Sequence, residues 1–139
     1  FTGTRKGNGL TRMNILIVED NEINAKLLNI MLKELKFIDH THIASDAKTA
    51  IAASVKTHFD IVLMDINLGD GQMDGIETMK VLKSREDYKE IPIYAITCYS
   101  LPGDREKFLK EGFDRYFSKP VSQEQLLESI REDYKSSVS

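Results

Sequence analysis

The chain is poor in the residues that staple or punctuate a fold. Among 139 residues it has one cysteine, no tryptophan and three prolines. A single thiol, Cys98, excludes an internal disulfide framework and suits a reducing compartment, so a cytoplasmic location is expected. The longest apolar runs, residues 15–18 and 61–64, fall far short of the roughly 20 residues of a membrane-spanning helix. Charge of one sign does not dominate: 22 acidic and 19 basic side chains leave a formal net charge of −3. This excludes the broad basic field of a nucleic-acid binder and the polybasic anchor of a membrane-surface protein, so neither is expected as a direct partner. No apolar leader segment is visible near the N-terminus.

What is present fits one globular domain, with 41% hydrophobic and 29% charged residues. Residues 1–12 are rich in Gly, Thr and basic side chains without apolar period, and read as a tail, left from cloning or a linker. The Gly7-Asn8-Gly9 stretch lacks the preceding strand and following helix of a phosphate loop. The domain is expected over 13–135, followed by a short tail at 136–139. Within it, apolar β-branched runs alternate with helical patterns. Strands are expected at 14–18, 41–44, 60–64, 91–97 and 115–118. Helices are expected at 21–35, 46–55, behind Gly75, at 104–109 ending at Gly112, and at 122–134. In the first helix Ile23, Leu27, Leu28, Ile30, Met31 and Leu35 recur at helical spacing. The last helix opens on Ser122 with Gln125 as capping-box partner. Five strictly alternating βα units, with strands apolar on both faces, imply an α/β fold: a parallel sheet covered by helices on both sides.

In such folds the site lies beyond the carboxyl ends of the strands. There the sequence places Glu19 and Asp20, then Asp65, Thr97, and the run Ser118-Lys119-Pro120. Three carboxylates brought within a few ångströms repel one another unless a hard divalent cation joins them. Mg²⁺ takes oxygen ligands, including one or two carboxylates and phosphate oxygens, and Mn²⁺ is an acceptable substitute. A carboxylate also attacks phosphorus to form an acyl phosphate, a reaction that needs positioning and charge neutralisation above all. Lys119 would supply positive charge from the other side, and Thr97 a hydrogen bond to the attached phosphoryl group.

The set Ile-Val-Glu-Asp-Asn-Glu at 17–22, Met-Asp-Ile-Asn at 64–67, Met-Asp-Gly at 73–75, Ile-Thr at 96–97 and Ser-Lys-Pro at 118–120 resembles the receiver domain of response regulators. The pattern is similar to stand-alone receivers of the DivK type and to receivers fused to hybrid histidine kinases. The resemblance implies a flavodoxin-like (βα)5 fold with strand order 2-1-3-4-5. It implies a phosphoacceptor at Asp65, an acidic pair at Glu19 and Asp20, and a backbone carbonyl of Asn67 as a further metal ligand. It also implies a switch pair of Thr97 and Tyr116, a phosphate-contacting Lys119, and a cis bond before Pro120. Partners would be a histidine kinase or histidine phosphotransferase as donor. A downstream protein would read the face of the fourth helix, fifth strand and fifth helix. Such a domain is a signalling phosphoacceptor that assists its own phosphorylation and dephosphorylation, not an enzyme acting on separate substrates.

The loop from Asp65 to Gly75 departs from the usual receiver pattern by about two residues and extra glycines, Gly69 among them. Cys98 stands where alanine is usual and is expected to be a small buried residue. Tyr99, one residue further on, is expected to cover the site and slow hydrolysis. Asp74 is expected to cap a helix, and residues 83–90 to form a solvated helix end and loop. Three rival functions use overlapping groups. A Mg²⁺-dependent aspartyl phosphatase would need an Asp-x-Asp nucleophile on the first strand and a cap insertion, both missing here. A receiver-like module that no longer takes phosphate conflicts with the intact set of Asp65, Thr97 and Lys119. A receiver belonging to a hybrid kinase or larger regulator would share every motif.

Overall fold

The structure, a computed structural model, describes residues 4–5, 11–68, 73–98 and 101–138. Five strands are followed in turn by five helices: β1 Thr11–Val18, α1 Glu22–Leu32, β2 Ile38–Ala44, α2 Ala47–Lys56, β3 Ile61–Asp65, α3 Gly75–Lys83, β4 Ile93–Thr97, α4 Asp104–Glu111, β5 Arg115–Ser118 and α5 Gln123–Val138. The five strands are parallel in the order 2-1-3-4-5, as expected from the sequence. Among the described residues no helix is long and apolar enough to cross a membrane.

The unbroken apolar runs follow from this layering. Side chains alternate between the faces of a strand. Leu16, Val18, Val62, Met64, Ile93 and Ala95 meet the small and apolar faces of α2, α3 and α4 on one side. Ile15, Ile17, Ile61, Leu63, Tyr94 and Ile96 meet α1 and α5 on the other. Each fully buried aliphatic or aromatic side chain contributes about 1.5–3 kcal/mol, and both faces must be apolar to collect it.

Local chemistry sets the helix ends. Asn21 caps α1 through Asn24 N–H, and Asp46 caps α2 through Thr49 N–H. Asp74 caps α3 in a full capping box with Glu77, as its sequence position suggests. Ser122 Oγ accepts from Gln125 N–H at the start of α5. Gly112 ends α4 with φ +130°, a region L-residues avoid.

Several expectations shift. Residues 11 and 12 continue β1 and pair antiparallel with a two-residue strand, Thr4–Arg5, so strand structure reaches into the stretch read as a tail. The β2 edge begins at Ile38, not 41, because parallel pairing with β1 orders residues whose polar side chains face solvent. Helix α1 stops at Leu32, and α5 runs to Val138, four residues beyond its expected end. Ile23 and Ile30 are 69% and 60% exposed, so the apolar period of α1 is wider than the face it buries. Cys98 is exposed rather than buried. The stretch 83–90 is not wholly solvated, since Tyr88 is fully buried. The Gly7-Asn8-Gly9 stretch, Gly69 and Tyr99 lie outside the described residues.

Tyr88 anchors that stretch. Its hydroxyl accepts from Phe59 N–H at 2.9 Å and lies 3.2 Å from the Thr57 carbonyl oxygen. The Arg85 guanidinium stacks over its ring and donates to Ser54 Oγ. Replacing Tyr88 with Phe keeps the volume but leaves Phe59 N–H unpaired. The expected loss is about 1–3 kcal/mol of unfolding free energy in urea, with little change in denaturant slope.

Candidate functional site

The carboxyl edge of the sheet gathers the chemistry. Glu19 directly follows β1 and is 2% exposed; Asp65 ends β3 and is 3% exposed; Thr97 ends β4 and is 1% exposed. Asp20 is exposed at the mouth. One carboxylate oxygen from each of Glu19, Asp20 and Asp65 lies within 4.8 Å of the others. Parallel strands in register place these side chains at the same height: Val18 pairs with Met64, and Asp65 with Ile96.

Lys119 closes the opposite side. Its Nζ donates to Glu19 Oε1 at 2.8 Å and stands 3.5 Å from Asp65 Oδ1. The bond between Lys119 and Pro120 is cis, as expected. Lys119 N–H donates to the Thr97 carbonyl oxygen at 2.8 Å, which ties the lysine to the end of β4. Two backbone groups steady the acids. Asn21 N–H donates to Glu19 Oε2 at 3.1 Å, and Asn67 N–H donates to Asp65 Oδ1 at 3.3 Å. The first was missed from sequence. Its signal was the Asn21 cap, which turns the start of α1 back toward Glu19 and leaves that N–H free to reach it.

Burial and then the neighbouring Glu19 charge push the Asp65 carboxyl up to about 7, against the pull of Lys119. Burial works against the Lys119 charge, but its hydrogen bond to Glu19 and the charges of Asp65 and Glu19 outweigh it, and its pKa is raised. The donor set is all oxygen, close enough to converge on one hard divalent cation. A cation there would offset both the burial and the neighbouring charge that raise the Asp65 pKa. The donor set therefore fits Mg²⁺ or Mn²⁺, which Asp65, Glu19 and Asp20 would hold.

Tyr116 of β5 is half-buried and stacks on Phe108 of α4, ring centroids 5.7 Å apart and planes 13° from parallel. It pairs in register with Ala95, two residues before Thr97. The structure thus brings Glu19, Asp20, Asp65 and Lys119 into one group. Thr97 stands at its edge, bonded to the Lys119 backbone, and Tyr116 lies one strand further on in β5, packed against α4.

A carboxyl whose folded pKa exceeds its unfolded value binds more protons when folded. Its contribution to stability is present at low pH and is lost as pH rises from the ordinary 3.8 to about 7. With divalent cations chelated, Asp65→Asn is therefore expected to stabilise the protein above that range, on the order of 1–3 kcal/mol. The gain disappears near the lower limit. Urea unfolding of both proteins at the two pH extremes checks this.

Residues 15–131 match the response regulator receiver domain family. The polar-differentiation response regulator DivK of Brucella abortus (strain 2308) is 33% identical over 118 residues, covering 85% of this chain and 93% of DivK. The signal transduction histidine-protein kinase BarA of Escherichia coli (strain K12) is 30% identical over 114 residues. That span covers 82% of this chain but only 12% of BarA. The receiver domain of sensor histidine kinase PA1611 from Pseudomonas aeruginosa PAO1 superposes with a TM-score of 0.76 at 28% identity, covering 90% of this chain and 99% of that one. That structure has a magnesium ion coordinated in the active site cleft. The matched span takes in every strand end described above, and the chain belongs to the response regulator receiver domain family.

Proposed function

We propose that this receiver accepts a phosphoryl group on Asp65 from a phosphohistidine donor in a Mg²⁺-dependent reaction, and that the modification alters its α4–β5–α5 face. The observation that supports this most is the meeting of three carboxylates within 4.8 Å, faced by Lys119 Nζ. Asp65 is the best-placed nucleophile. It is central in the sheet, and Lys119 stands 3.5 Å from its Oδ1. Its oxygen bonds to phosphorus as the phosphorus–nitrogen bond breaks and the electron pair leaves with the imidazole. Bound Mg²⁺ supplies positive charge against the phosphoryl oxygens; Glu19, Asp20, Asp65 and the Asn67 carbonyl would hold it. Lys119 turns toward the new negative charge, and Thr97 donates its hydroxyl.

The switch follows from position. If Thr97 moves toward the phosphoryl group, the strand end beside Tyr116 changes. The Tyr116–Phe108 stack is then free to be exchanged for an inward position. The donor's approach is supported by α1. Ile23, Leu27 and Ile30 form an exposed apolar stripe at 69%, 50% and 60%, beside a cleft lined by Glu19, Lys119 and Pro120. An apolar stripe next to an acidic, cation-binding centre suits a helical donor carrying a phosphohistidine. The matched span makes up 93% of DivK and 12% of the longer kinase BarA, so a stand-alone receiver and a receiver within a larger kinase both carry this domain.

Intact-mass spectrometry after incubation with acetyl phosphate tests the chemistry. One phosphoryl group per chain is expected with Mg²⁺, and none with chelator or in Asp65→Asn. Label persisting at another residue refutes the assignment. Thr97→Ala is expected to accept label yet lose the phosphorylation-dependent change in partner binding or in Tyr116 environment. Unchanged coupling in that variant removes the switch.

A further inference from the structure

Building on the reading of Asp65 as phosphoacceptor, the geometry points to Gly75 as a positioning residue. Its missing side chain lets α3 close on the backbone of Asp65 and Ile66, and so sets where the Asp65 carboxylate and the Asn67 backbone stand. A Cβ at position 75 would lie 2.3 Å from the Asp65 carbonyl oxygen, 2.8 Å from Ile66 Cα and 3.1 Å from the Asp65 carbonyl carbon. These are backbone atoms of the strand end that carries the nucleophile. No flexible side chain is available to swing aside. Carbon contacts are ordinarily at roughly 3.5–4.0 Å, so any side chain here demands a backbone shift on the order of 1 Å. Among the described glycines only Gly103 and Gly112 have positive φ. Gly75 is therefore required for space, not for backbone freedom.

The contact is held from both sides. Gly75 N–H donates to the Ile66 carbonyl oxygen at 3.0 Å, closing the base of the loop that begins after Asp65. Helix α3 has little room to retreat. The Asp74–Glu77 capping box fixes its first turn, Thr78 Oγ1 donates to the Asp74 carbonyl oxygen at 2.7 Å, and Thr78 and Met79 are buried. The strand is equally fixed, since Ile66 N–H donates to the Ile96 carbonyl oxygen at 3.0 Å and Met64 is fully buried. A side chain at 75 would therefore displace the stretch from Asp65 to Asn67. That stretch carries the nucleophile, the N–H bonded to it and the carbonyl assigned to the metal. Misplacement of a reacting group by about 1 Å costs roughly 100-fold in rate.

The test compares the full wild-type chain with Gly75→Ala, Leu82→Ala and Asp74→Ala. Folded fraction is read by circular dichroism, Mg²⁺ affinity by calorimetry, and labelling rate by intact mass with acetyl phosphate. Per folded molecule, Gly75→Ala is expected to bind Mg²⁺ at least about tenfold more weakly and to label roughly 100-fold more slowly. Leu82→Ala empties a core position on the same helix away from Asp65, so it loses stability but keeps both properties. Gly75→Ala within about twofold of wild type, or Leu82→Ala losing as much, overturns the inference. If Gly75→Ala does not fold, Asp74→Ala decides, because it frees the start of α3 from its cap. A selective loss of Mg²⁺ affinity supports the assignment, and wild-type affinity overturns it. A wild-type chain that takes no label defeats the phosphoacceptor reading instead, and Gly75 is then judged on Mg²⁺ affinity alone.

Discussion

Two nearly buried carboxylates, Glu19 and Asp65, share a pocket with one ammonium group while a third acid, Asp20, stands at its mouth. The rest of the molecule serves this juxtaposition. Burying like charges together is costly, and the fold offsets the cost only in part, through Lys119 and two backbone N–H groups. Burial first, and then the Glu19 charge, appear as the raised Asp65 pKa. A site under such tension gains by taking up a cation, and then by accepting a dianionic group that lets the cation and the lysine be shared.

The sheet makes the tension possible. Five short parallel strands, covered on both faces, form a rigid platform whose edge holds side chains from distant parts of the sequence at one height. The same platform links the site to a surface. Lys119 is bonded through its backbone to Thr97, and Tyr116 lies in the neighbouring strand against Phe108 of α4. The proposed switch would use these contacts to carry a change in charge at Asp65 to α4 and β5. Further out, Arg115 and the buried Tyr94 both bond Asp133, fastening α5 to the sheet at the far end of that face. Under the proposed switch, that face would have one end fixed by Asp133 and the other coupled to the site.

Much of this was legible in the sequence, for physical reasons. Strands buried on both faces write themselves as unbroken apolar runs, and residues directly after such runs fall at one sheet edge. Asp65, Glu19, Asp20 and Lys119 were found that way. Capping at Asp74 and Ser122 was readable because side-chain oxygens in those positions have one evident use. The failures have equally specific causes. The β2 strand looked short because its edge exposes polar residues that only pairing with β1 orders. The periodicity of α1 gave no warning that Ile23 and Ile30 face outward, since an apolar stripe reads alike whether it meets the core or a partner. Tyr88 was hidden among charged neighbours whose long side chains stay in solvent while its ring does not. Gly75 was recognised as part of a motif, but its reason, a backbone within 2.3 Å of where its Cβ would sit, exists only in three dimensions.

If the acids at the sheet edge stay in conflict until a cation joins them, binding the cation must release protons. Calorimetric titration with Mg²⁺ in buffers of different ionisation enthalpy counts the protons released per ion bound. One Mg²⁺ per chain is expected, with fractional proton release near pH 7 that fades well above it as Asp65 loses its proton unaided. Saturable binding with no proton release near that pH, or no binding at all, would contradict it.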